Sequence, residues 1–102
     1  MTKWIITAAL FDIAYPPTLR IVARFEGNEE EARSRFREVL NSYDGAARKL
    51  TRREVFKFSD SQYFVRIEDR PNEFEYMMQL GELIVDTQDP ELPDSVVWPD
   101  GV

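Results

Sequence analysis

The sequence predicts an α+β domain, a two-layer sandwich in ββαββα order whose four-stranded, mostly antiparallel sheet carries its helices on one face. Three observations lead there. Strand formers in near-alternating runs fill the stretches around residues 3–26 and 50–70, the apolar period turns helical across 29–43, and proline or glycine separates the segments. A chain of 102 residues, 43% apolar and 31% charged, has room for one continuous core and not for two. Residues 1–85 are therefore taken as the domain and 86–102 as an acidic, proline-containing C-terminal extension.

The opening "KWIITAALF" is rich in strand formers, and Trp4 on it reads as a packing residue. In "PTLRIVARFEG", Leu19, Ile21, Ala23 and Phe25 fall on one side of a period-two pattern, against Arg20, Val22, Arg24 and Glu26. The paired prolines of "DIAYPP" interrupt ladder pairing between the two runs, so a hairpin with a modest loop is expected. The sheet face opposite the helices is expected to be mixed in character, with Arg20, Val22 and Arg24 on it.

Across "NEEEARSRFREVLNSYDG" the apolar residues Ala32, Phe36, Val39, Leu40 and Tyr43 recur at helical spacing. Asn28 can cap the first turn while Glu31 reaches back to the cap amide, and three glutamates suit the positive end of the helix dipole. Glu29 with Arg33 and Glu31 with Arg35 form favourable i,i+4 pairs, and Gly45 supplies the stop.

A second hairpin follows. "KLTRREVFKF" alternates imperfectly, with Phe56 and Phe58 in one phase and Val55 and Lys57 in the other, which a bulge or two partly covered faces would reconcile. After the turn-like "SDSQ", "YFVRIEDR" places Val65 and Ile67 in one phase and Phe64 in the other. Residues 73–85 carry two patterns at once. Phe74, Tyr76, Met78 and Leu80 alternate as in a strand, while Phe74, Met77, Met78 and Leu80-Gly81, followed by Leu83 and Ile84, also make a helical stripe. Helix is the reading adopted: Asn72 can cap it, Met, Leu, Gln and Glu favour it, and the run exceeds the usual strand length.

The formal charge of -6 is uneven. Residues 1–85 hold fourteen of the nineteen acidic residues with all thirteen basic ones, so the domain is nearly neutral and the extension carries most of the excess. That balance argues against a general nucleic-acid binder. Histidine and cysteine are absent, which excludes His- and Cys-based nucleophile systems, thiolate metal sites and disulfides. Neither the scattered carboxylates nor the isolated glycines follow a metal loop or a phosphate cradle, so no catalytic residue, cofactor or metal is expected. The longest apolar run, at the N-terminus, is far below a membrane span, and a cytoplasmic location is expected.

Two segments attract a functional reading. Arg48, Lys49, Arg52, Arg53 and Lys57 cluster in "ARKLTRREVFK", either as a polar sheet edge that deters edge pairing or as a contact surface. The extension offers Asp89, Glu91 and Asp94 with the anchor-like Trp98, and its charge complements the basic segment in the same chain or in a second subunit. The first expectation is a non-enzymatic interaction or regulatory domain, homodimeric through a sheet edge or an exposed sheet face. The alternatives are an acidic inhibitor or immunity-like protein against a basic partner, a small carboxylate- or Tyr-using enzyme or ligand-binding domain, and nucleic-acid binding through residues 48–57.

Overall fold

The computed structural model describes residues 1–12, 15–45, 47–70 and 72–96; within these, the side chains of 11, 12, 15 and 17 are left aside. The elements are β1 (Thr2–Asp12), β2 (Tyr15–Gly27), α1 (Glu29–Ser42), β3 (Arg52–Ser59), β4 (Gln62–Asp69) and β5 (Asn72–Glu82). They form one five-stranded antiparallel sheet in the order β2-β1-β5-β4-β3, with the helix on one side. The α+β class holds, but the expected ββαββα order with a four-stranded sheet and two helices is corrected: the second helix is strand β5.

The reason lies in where β5 sits. It is the central strand, paired with β1 from Trp4↔Glu82 to Leu10↔Tyr76 and with β4 from Gln62↔Gln79 to Asp69↔Asn72. Both edges of its backbone are satisfied by neighbours, and Tyr76 and Met78 are buried beneath the helix. Two ladders outweigh the modest helix propensity of Met, Gln and Glu, which is worth tenths of a kcal/mol per residue, on the order of ~0.5. The alternating pattern was the real one, and the helical stripe a coincidence of Met77 beside Met78.

The two expected hairpins are present, but the paired prolines expected between the first two strands lie inside β2, at a register shift between the Leu10↔Thr18 and Asp12↔Tyr15 pairs. In the first, a bulge between the Ile6↔Ala23 and Thr7↔Ile21 pairs takes up Val22 and shifts the phase of β2 by one residue. Ala23 and Phe25 thus stay with Trp4 and Ile6 on the helix side, whereas Leu19 and Ile21 go to the opposite side and Arg20 comes to the helix side. The single alternation expected along 19–26 is corrected accordingly.

Helix α1 has the anticipated cap. Asn28 Oδ1 accepts from the Glu31 amide at 2.8 Å, and the Asn28 amide donates to Glu31 Oε1 at 3.3 Å. Arg33 pairs with Glu29 at 2.8 Å, while Arg35 lies over the Phe25 ring, 5.8 Å from its centroid. Ala32 is buried, Phe36 and Leu40 are buried in one cluster with Ile6, Ala8, Val65, Ile67, Tyr76 and Met78, and the Phe36 ring meets Tyr63 edge-on at 5.5 Å. The chain leaves the helix at Tyr43, whose amide donates to the Val39 carbonyl, and turns at Gly45 with φ of 57°. No described helix is long and apolar enough to cross a membrane.

Candidate functional site

One helix cannot cover both sides of a sheet, and among the described residues no helix or strand lies on the side facing away from α1. Register fixes what it presents. Leu19 pairs with Ala9, Ala9 with Met77, Met77 with Phe64, and Phe64 with Phe56, so five apolar side chains form a single row across all five strands. Leu19 is 64% exposed and Phe56 47%, and beside them Ile21 and Phe58 are 57% and 66% exposed. The Phe56 and Phe64 rings are 6.0 Å apart with planes inclined by 44°.

Polar rows flank it. On one side stand Glu54, Arg66 and Glu75, in register on β3, β4 and β5. Arg66 reaches Glu73 at 2.7 Å and Glu54 at 3.4 Å, and its hydrogen bond to Glu73 holds the guanidinium still more firmly protonated. On the other side Thr7, Gln79 and Gln62 follow Ile21 across the sheet. An apolar strip between polar margins is the layout of a protein contact surface.

The basic segment is largely neutralised within the chain. Arg52 pairs with Glu54 at 3.5 Å and Lys57 with Asp60 at 3.0 Å, while Arg53 binds Asp44 and donates to the Asn41 carbonyl at 2.7 Å. The Arg48 amide donates to Asp69 Oδ2 at 2.7 Å. Within this segment, the Arg48 and Lys49 side chains are the two without an acidic partner among the described residues. Asp60 is held below its ordinary carboxylate range by its hydrogen bond to Lys57, by that residue's charge and by Arg33.

Of the acidic extension, residues 86–96 form two turns in which Asp86 and Asp89 accept from the amides of Gln88 and Glu91, each at 2.9 Å. The Asp86 amide donates to the Pro93 carbonyl at 3.2 Å, closing the pair into a compact knot. Asp89, Glu91 and Leu92 share a cleft with Met1, Thr2 and Lys3 at the end of the sheet where β5 finishes. Arg48, Lys49, Arg52 and Arg53 lie toward the other end, where β4 turns into β5, and no ion pair joins them to Asp89, Glu91 or Asp94. Trp98 and Val97 fall outside the described residues.

Among the described residues no group of acidic side chains is placed to hold a metal ion. On the helix side, a groove of about 420 Å³ lies between α1 and β3, lined by Val55, Arg33, Arg37 and Lys57 among others. The exposed row is not legible in the sequence: it joins residues from five separate strands, and the bulge at Val22 is what brings Leu19 into it and Ile21 beside it. The split phase of Phe56 and Phe58 against Val55 was the one local signal. No family model, curated protein or solved structure matches this chain.

Proposed function

We propose that the protein is an interaction domain that works as a homodimer, joined through the sheet face opposite the helix. The observation that supports this reading is the apolar row Leu19, Ala9, Met77, Phe64 and Phe56, unbroken from one edge strand to the other. Five strands at ~4.8 Å spacing and three side-chain rows at ~6.8 Å give a patch of about 500 Å², or roughly 1,000 Å² across two copies before corrugation is counted. That reaches the threshold of about 1,000 Å² for a specific interface.

A second copy fits by size as well as by area. With a two-fold axis lying along β5, Met77 meets its own counterpart, the small Ala9 faces the partner's Phe64, and Leu19 faces the partner's Phe56. Large against small across facing layers is how two sheets interdigitate. The charged row Glu54, Arg66 and Glu75 is already paired within one copy and forms the rim.

Isotope-filtered NOE spectra on a mixture of labelled and unlabelled chains test the arrangement. Leu19 methyl and Phe56 ring protons stand four strand spacings apart within one copy, about 19 Å, so an NOE between them arises only across the interface. Cross-peaks between labelled Leu19 and unlabelled Phe56 are expected. Their absence in a sample that is dimeric by mass contradicts this pairing.

A further inference from the structure

Because the bulge in β2 turns Arg20 and Thr18 to the helix side, they meet the end of α1 over a small cavity. Its volume is about 170 Å³, and Ala8, Leu10, Thr18, Arg20, Tyr43 and Tyr76 line it. The walls are fixed in advance. Tyr43 and Tyr76 pack edge to face at 5.2 Å with an 85° interplanar angle, and the space beside Gly45 where a Cβ would stand is filled by the Tyr76 phenol.

One of the lining residues carries an unspent donor. Tyr43 Oη is shielded from solvent and has no hydrogen-bond partner among the described residues. Burial, with a contribution from Tyr76, raises its pKa above the ordinary phenol value, and the nearby Arg20 guanidinium opposes the rise without closing a hydrogen bond of normal geometry. A buried hydroxyl left without an acceptor is unfavourable, so whatever supplies one gains from that deficit. Arg20 is exposed on an edge strand and supplies a charge that is always present.

We propose that this cavity is a binding site for a small monocarboxylate with a compact apolar body, its carboxylate held between Arg20 and the Tyr43 hydroxyl. The ligand enters as the exposed Arg20 side chain swings aside; its carboxylate accepts from both donors while Leu10, Ala8 and the Tyr76 ring surround the body. A cavity of ~150 Å³ holds a benzene ring in other proteins, so about 170 Å³ limits the body to one ring or a short branched chain. The site lies on the helix side of the sheet and stands whether or not the opposite face pairs.

Benzoate is the probe, with benzamide and acetate as controls, followed by calorimetric titration and by amide shifts of the full chain. Saturable binding with Kd of about 0.1–1 mM is expected, with both controls weaker by about tenfold or more. Arg20→Gln is expected to weaken benzoate about tenfold and Tyr43→Phe about threefold, each without lowering the melting temperature. Thr18→Trp, at the exposed mouth, is expected to abolish binding. Three results would overturn the proposal: no saturable shift with benzoate, equal binding of benzamide, or unchanged binding in Arg20→Gln.

Discussion

Phe56 and Phe64 face one another across β3 and β4 on the side of the sheet that the helix leaves bare, their centroids 6.0 Å apart. An aromatic pair of this kind adds about 0.5–1.5 kcal/mol beyond the area it buries, yet here one of its rings remains half in water. Phe56→Ser is expected to weaken self-association by about tenfold or more, since anchors of this type carry most of an interface's energy. Dilution followed by light scattering reads the change, and an unaltered dissociation constant counts against the face as the contact.

Gly45 carries a different demand. Its φ of 57° lies in the left-handed region, and the Tyr76 phenol occupies the place of a Cβ. Gly45→Ala is expected to lose about 2–4 kcal/mol in urea unfolding, strain and steric overlap acting together. A loss under about 1 kcal/mol, the conformational share alone, means that the Tyr76 contact is softer than described.

The capping box at Asn28 makes a smaller contribution that is measured more cleanly. Asn28→Ala removes the acceptor of the Glu31 amide and is expected to cost about 1 kcal/mol, with no change in oligomer mass.

The stability curve at alkaline pH reports on Tyr43. Burial, then Tyr76, raises its folded pKa above 10.0, against the opposing pull of Arg20. The neutral phenol is therefore favoured by folding: its stabilising contribution is complete below the unfolded pKa and is lost as pH rises through the higher folded pKa. Tyr43→Phe cannot ionise, so its stability relative to the natural chain is expected to improve as pH rises past 10.0. A constant difference between the two across that range contradicts the assignment.

Much of this architecture is written locally. Asn28 and Glu31 mark the helix start, Ala32, Phe36, Val39, Leu40 and Tyr43 mark its inner side, and "SDSQ" before Tyr63 marks the second hairpin, whereas the prolines before Leu19 fall inside β2. Two features are not local. Residues 73–82 become a strand because β1 and β4 pair with both of its edges, which no pattern inside the segment reports. The apolar row is assembled from five strands, and one inserted residue, Val22, decides that Leu19 joins it with Ile21 alongside while Arg20 goes to the cavity. The charge clusters stand out because they are contiguous in sequence, and in the fold Asp44, Glu54 and Asp60 absorb most of the basic one.

Sedimentation equilibrium of the natural chain beside Met77→Lys tests the central claim most directly, because Met77 occupies the middle of the row on the central strand. A charge there has no partner across the two-fold and would be buried only at a cost of several kcal/mol. The natural chain is expected to sediment as two chains at about 100 µM and the variant as one, with its fold retained by circular dichroism. A natural chain that sediments as a single copy, or a variant that dimerises as well as its parent, contradicts the proposed interface.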